Sequence, residues 1–213
     1  MSTIKSPDIY FSRKYDPKWR FISYWHQINE IITLEPESIL EIGKGNGLVS
    51  DYLKARSFKI ITLDIDKDLK PDTVGSVISL PFLDKTFEVV ACFEVLEHLP
   101  YEYFLQALME IHRVAEKHVV LSLPDVTRAY PIQITLPKLG QFRRLISLPC
   151  WKPVEHVFDG EHYWEIGKNK YLLREVTDEI RRAGFYIKNT YRVFEAPFHR
   201  FFVLNKGEAA THG

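Results

Sequence analysis

Ile39-Leu40-Glu41-Ile42-Gly43-Lys44-Gly45-Asn46-Gly47 is an apolar run with one acid in it that breaks into three glycines at every second position. A buried strand that stops in such a turn lets a ligand come close to the backbone, because glycine has no Cβ and tolerates positive φ. The amphipathic stretch behind it (Leu48, Val49, Tyr52, Leu53) predicts a helix whose N-terminus faces the same crevice. Dinucleotide-binding loops follow G-x-G-x-x-G, whereas this run is E-x-G-x-G-x-G with no third glycine in that register. Lys44 is not a phosphate-loop lysine either, since no G-K-[ST] follows a four-residue spacer.

Outward from this turn the chain alternates between strand and helix patterns. Upstream, Phe21, Tyr24, Trp25, Ile28, Ile31 and Ile32 recur at helical spacing and predict an amphipathic helix ending near Pro36. Strands are expected at Ser38–Ile42, Lys59–Leu63, Val74–Ile78, Phe87–Phe93 and His118–Leu123, the last stopped by Pro124. The helix after the glycines should run to about Ala55, a second from Tyr101 to Ala115, and a third from Leu172 to Ala183, closed by Gly184. Two strands, Phe185–Val193 and Arg200–Leu204, complete the pattern. Such alternation predicts a mostly parallel sheet covered on both faces, with the ends of strands 1, 2 and 4 around one crevice. The boundaries read as an N-terminal cap region at 1–36, a single domain at 37–206 and a disordered tail at 207–213. Residues 125–161 interrupt the alternation with Pro131, Pro137, Pro149 and Pro153, basic residues, and Tyr130, Phe142, Trp151 and Phe158; this is expected to be an irregular lid or mobile loop.

Composition narrows the function classes. The 28 basic residues equal the 28 acidic ones, which argues against duplex nucleic acid as a partner while leaving a local RNA contact open. Cys92 and Cys150 are the only cysteines, and Cys92 falls in a predicted core strand, so a reducing, cytoplasmic setting fits. The first residues carry no apolar signal region, and no apolar run reaches membrane-spanning length.

Four segments stand in a fixed order: the E-x-G-x-G-x-G turn, Ile60-Ile61-Thr62-Leu63-Asp64, the run from Leu80-Pro81-Phe82 to Val89-Val90, and Cys92-Phe93-Glu94-Val95-Leu96-Glu97-His98-Leu99. Together they resemble the class I S-adenosylmethionine (SAM) dependent methyltransferases of the methyltransferase type 11-like kind, over roughly residues 37–123 and more weakly to about residue 205. The resemblance implies a Rossmann-like α/β fold: a seven-stranded, mostly parallel sheet with an antiparallel last strand and helices on both faces. It also implies SAM as cofactor. Glu41 would position the charged methionine end through hydrogen bonds, and Gly43, Gly45 and Gly47 would bring backbone amides to the ligand. Asp64, with Asp66 as a backup, would hold the ribose, whose two hydroxyls need a bidentate acceptor. Ile65, Cys92 and Phe93 would complete the cofactor site. The family commonly places an acid or amide before LPF to read the adenine; here Gly75-Ser76-Val77 stands instead, leaving backbone contacts at Val77 and Ile78.

Glu94, Glu97 and His98 form E-x-x-E-H, which on a helical turn shares one face. Two carboxylates and an imidazole suit a divalent cation, with His162 or His156 as a further ligand, an arrangement that resembles ubiquinone-biosynthesis and small-RNA 2′-hydroxyl methyltransferases. The alternative is a pocket shaped by the same residues without metal. His98 and His162 are the acid–base candidates, since imidazole titrates near neutrality; structural hydrogen bonding is the alternative for each. The aromatic-acidic cluster His162-Tyr163-Trp164-Glu165 serves either the acceptor pocket or loop packing, and Tyr10, Phe11, Tyr15, Trp19 and Tyr24 either cap the cofactor or pack as core. The expected activity is methyl transfer to an oxygen, less favourably a nitrogen, of a small-molecule, glycan- or lipid-linked acceptor. Rival expectations are a metal-dependent RNA 2′-hydroxyl methyltransferase, a nicotinamide dehydrogenase and a non-catalytic SAM-binding scaffold.

Overall fold

The computed structural model describes residue 10 and residues 15–138, 140–148 and 152–207. The 208–213 part of the expected tail, Cys150, Trp151 and Phe11 lie outside the described residues. Helix α1 (Lys18–Thr33) leads into β1 (Ile39–Ile42), α2 (Leu48–Ala55), β2 (Ile60–Asp64), a short β3 (Thr73–Val74) and β4 (Phe87–Phe93). Then come α3 (Phe104–Val114), β5 (Ala115–Pro124), a hairpin of β6 (Ala129–Leu136) and β7 (Gly140–Ser147), α4 (Leu173–Arg182), β8 (Phe185–Arg192) and β9 (His199–Lys206).

The main sheet has seven strands in the order β3-β2-β1-β4-β5-β9-β8. All neighbours from β3 to β5 pair in parallel, and β9 lies antiparallel between β5 and β8. Period-two alternation sorts the buried strands onto two layers. Ile39, Val89 and Ala91 pack with Tyr24 and Ile31 of α1 and with Val49 and Leu53 of α2. Leu40, Ile42, Val90 and Cys92 pack on the other face against Phe104, Leu108 and Ile111 of α3 and Val176 and Ile180 of α4. Strand order reverses between β1 and β4, so their carboxyl ends open a crevice at the switch point of the sheet.

The third strand is shorter than its sequence suggested. Two carbonyls that a Val74–Ile78 strand would offer to a ladder are used elsewhere: that of Ser76 accepts from Ser79 N–H and that of Ile78 from Gln106 Nε2, and just beyond the span Leu80 N–H donates to Glu110 Oε2. The turn buries Val77 and Leu80 in the layer under α3, an apolar burial that favours this conformation. The insert also departs from the irregular segment expected of it. Residues Ala129–Leu136 and Gly140–Ser147 pair in register from Ala129↔Ser147 to Leu136↔Gly140. Pro131 is tolerated because each strand of a two-stranded ribbon has a free edge, where a missing N–H breaks no rung.

Candidate active site

A cavity of about 400 Å³ opens at the ends of β1, β2 and β4. The glycine turn forms its floor. Gly43, Gly45 and Gly47 all hold positive φ (84°, 54° and 77°), and a Cβ on Gly43 would lie 2.2 Å from Val95 Cγ2 in the loop after β4. Gly43 is therefore demanded by the packing of two loops as well as by access to the backbone. Lys44, also at the cavity wall, has its Nζ engaged: it donates to the carbonyls of Leu69 (2.8 Å) and Lys70 (2.7 Å), tying the turn to the segment after β2.

Glu41 projects from β1 into the cavity, fully buried, and its Oε2 has no hydrogen-bond partner among the described residues. Burial pushes its carboxyl up to about 8. Asp64, at the end of β2, accepts from the Asp66 amide at 3.0 Å and from the Gly45 amide at 3.4 Å, so it also braces the glycine turn. Asp66 Oδ1 accepts from the Asp68 amide at 2.9 Å. Ile65 and Phe93 line the cavity too. Val77, Ile78 and Cys92 do not: Val77 and Cys92 are buried in the α3 layer, and Ile78 packs against it. The same burial pushes the Cys92 thiol well up.

At the opposite wall a 3₁₀ turn, Leu96–His98, follows β4, and Glu94 before it holds a left-handed φ of 53°. Both oxygens of Glu97, and Oε1 of Glu94, are buried without a hydrogen-bond partner among the described residues. Burial, reinforced by Glu94, drives the Glu97 carboxyl well above the usual carboxylate range. The His98 and His162 rings meet edge to face with centroids 5.1 Å apart. His98 Nδ1 lies 2.9 Å from the Glu161 carbonyl, and His162 Nδ1 lies 3.1 Å from Glu165 Oε1. Burial opposes the His162 imidazolium, but the Glu165 carboxylate outweighs it and holds the ring above the ordinary histidine range. Ligand atoms of Glu97, His98 and His162 fall within 4.8 Å of one another, as do those of Asp159, His162 and Glu165. His156 sits behind them, with Nε2 2.8 Å from the His162 carbonyl and Nδ1 3.8 Å from Glu165 Oε2.

The aromatic-acidic cluster divides by residue. Trp164 is core, packed on Phe104 and Tyr101, while His162, Tyr163 and Glu165 line the cavity. Tyr10, Tyr15, Trp19 and Tyr24 line it as well. Arg20 and His199 are lining residues that sequence reasoning missed. Arg20 lies 4.0 Å from the Tyr15 ring centroid, and His199 Nε2 lies 3.8 Å from Glu94 Oε2. Burial lowers His199 below the ordinary histidine range. No spacing signal marked either residue, because β9 delivers His199 from 105 positions beyond Glu94.

Residues 40–123 match the family model described as a methyltransferase domain. That match runs from β1 to β5, so the likeness to methyltransferase domains covers under half of the chain. Over 128 residues it is 25% identical to the ribosomal RNA small subunit methyltransferase A of Metamycoplasma arthritidis, covering 55% of this chain and 48% of that protein. It spans about half or less of the curated relatives it matches (48% and 35%). The fold is shared with an S-adenosylmethionine-dependent methyltransferase from Clostridium acetobutylicum (TM-score 0.64, 8% identity, 95% of this chain and 100% of that one). It is shared too with a 1,6-didemethyltoxoflavin-N1-methyltransferase from Burkholderia thailandensis (TM-score 0.53, 14% identity, 98% and 93% coverage), whose structure holds its substrate and S-adenosylhomocysteine. The seven-stranded sheet places the glycine turn of β1 and the acid of β2 at one cavity.

Proposed function

We propose that the protein moves a methyl group from SAM to an oxygen of a small-molecule, glycan- or lipid-linked acceptor. The observation that carries this reading is the pairing, in one cavity, of a buried Glu41 oxygen lacking a partner at one end with the His162–Glu165 pair at the other. A buried carboxylate without a partner suits a cationic ligand group, because the ligand's charge offsets its desolvation. Glu41 and the amides of the glycine turn would hold the methionine end, Asp64 the ribose, and Ile65 and Phe93 the apolar surface of the ligand. When bound, SAM supplies a methyl group on a sulfonium. That methyl carbon would be the electrophile for the acceptor oxygen, with sulfur as the leaving atom that keeps the electron pair. The acceptor's proton passes to His162: the Glu165 bond occupies Nδ1, so Nε2 is the nitrogen that takes it. His98, set edge to face against His162, helps orient the acceptor. Nitrogen is the second choice of acceptor atom, since the toxoflavin-precursor enzyme named above is an N-methyltransferase.

Titration calorimetry with SAM and S-adenosylhomocysteine tests the donor. Binding is expected, and Asp64→Ala should weaken it about tenfold or more, the cost of removing a hydrogen bond to a charged acceptor. No binding by the intact chain, or unchanged affinity in the variant, overturns the reading.

The Glu97, His98 and His162 cluster supports a second reading, in which these side chains hold a divalent cation that polarises a hydroxyl acceptor, including an RNA 2′-hydroxyl. The donor set of one carboxylate and two imidazoles fits such an ion, and the two oxygens of Glu97 that lack partners point the same way. Activity abolished by EDTA and restored by a divalent cation would favour it; activity indifferent to chelation would remove it. A reducing, cytoplasmic compartment is supported by the buried free thiol of Cys92.

A further inference from the structure

The β6–β7 hairpin is amphipathic with its apolar side turned outward. Residues paired across an antiparallel ribbon share a face, so Tyr130, Ile132, Ile134 and Leu136 of β6 lie on the same side as Phe142 and Ile146 of β7. These six are 39–53% exposed, and none belongs to either hydrophobic core. The opposite face is tied to the body of the protein. There Arg143 bonds Gln133, its strand partner, and reaches across to Glu195 at 2.8 Å, with its guanidinium 4.9 Å from the Phe194 ring centroid. Arg143 thus ties the polar face to the body while the apolar face is left exposed, the reverse of what a surface ribbon in water favours. Leu148 N–H donates to the Arg128 carbonyl at 2.9 Å, closing the base of the ribbon beside the active-site cavity, which Val126 and Phe158 help to line.

Charge selects the occupant of this face. Between Val126 and Val154 the chain has Arg128, Lys138, Arg143, Arg144 and Lys152 and no acidic residue. Arg144 stands in the middle of the apolar face, opposite Ile132, with no carboxylate partner among the described residues. A second copy applied face to face would set these cations against one another with no carboxylate in the stretch to neutralise them. Apolar side chains interleaved with exposed cations match an anionic bilayer surface, where alkyl and aromatic groups enter the acyl boundary and Arg and Lys meet phosphate. No helix among the described residues is long and apolar enough to cross a membrane, so the attachment is peripheral.

We infer that the 129–147 hairpin docks the protein on anionic lipid surfaces, with Tyr130, Ile132, Ile134, Leu136, Phe142 and Ile146 entering the interface and Arg144 pairing with headgroups. The docking stands on the hairpin alone. Its consequence for substrate choice rests on the proposed methyl transfer: the cavity mouth would lie at the bilayer, where a lipid-linked acceptor arrives laterally. Flotation of the full chain with phosphatidylcholine vesicles, and with vesicles containing about one third phosphatidylglycerol, tests the docking. The protein should float with the anionic vesicles, remain behind with the neutral ones, and detach as salt is raised to about 0.5 M. Phe142→Asp and Arg144→Glu should each lower vesicle binding about tenfold or more while leaving S-adenosylhomocysteine binding intact. That retained binding shows the variants fold, and it separates failure of the docking from failure of the proposed activity. No flotation on either vesicle, equal flotation on both, or a dimer that Phe142→Asp disperses would overturn the inference, the last outcome naming a second copy as the occupant.

Discussion

Gly43 shows how one residue can be legible in sequence for only part of its reason. The alternating glycines mark the turn, but the 2.2 Å approach to Val95 belongs to a loop fifty-two positions away. Gly43→Ala should therefore destabilise the fold by about 1–3 kcal/mol, through its φ of 84° as well as the clash. Chemical denaturation of Gly43→Ala with and without Val95→Ala separates the two causes, the double variant recovering the clash share only. Glu41 makes a second prediction. Its carboxyl is protonated below about 8 in the free protein, and a cationic ligand favours the carboxylate. Ligand binding should then release a proton, with affinity rising as pH approaches about 8 and levelling above it. Calorimetry in buffers of different ionisation enthalpy reads that proton, and Glu41→Gln should abolish its share. His162 adds the third. It accepts a proton only when neutral, and its titration lies above the ordinary histidine value, so kcat/KM should rise with pH through that raised value. Glu165→Gln removes the partner that raises it and should move this limb to lower pH. His162 and Glu165 stood out in sequence as a cluster, whereas their mutual bond did not, because a three-residue spacing specifies contact only in a defined loop conformation.

Among the elements, the long periodic segments follow their patterns closely, and the β4 strand is the span its apolar run predicted. The short and irregular segments differ, since their conformation is set by partners. The turn at residues 76–79 yields its backbone groups to Gln106 and to its own carbonyls, and Leu80 yields its amide to Glu110; none of this shows in local periodicity. The insert hid a hairpin because proline and basic residues mask an alternation that is nonetheless present at Tyr130, Ile132, Ile134 and Leu136. Asp125, where β5 gives way to the hairpin, joins three elements. It accepts from Arg200 Nε at 2.7 Å and the Thr127 amide at 2.9 Å, and its carbonyl takes a bond from Arg192. Asp125 is 1% exposed, so Asp125→Ala would leave two largely buried guanidinium groups uncompensated and should cost about 3–5 kcal/mol in urea denaturation. Loss below about 1 kcal/mol would show that solvent already screens the network.

Over the whole molecule, the hairpin is separable from the α/β body. The ribbon shares neither core, and its ends meet at Arg128 and Leu148, so replacing residues 129–147 with a short Gly/Ser link closes an existing gap. The shortened protein should keep S-adenosylhomocysteine affinity and its melting temperature to within a few degrees, measured by calorimetry and thermal unfolding; loss of folding would show that the ribbon carries core stability. The sequence by itself determined the α/β alternation, the glycine turn, the acids at Glu41 and Asp64, and the order of four motifs that resembles SAM-dependent methyltransferases. Those features are local: periodicity, turn chemistry and short spacings act within a few residues of one another. Only the tertiary structure decided that Val77, Ile78 and Cys92 face the α3 layer while Phe93 faces the cavity, that Arg20 and His199 join the site, and that the hairpin turns its apolar face outward. The reason is that a side chain's direction depends on which face its strand buries and what packs there. That is settled by contacts between residues far apart in the chain.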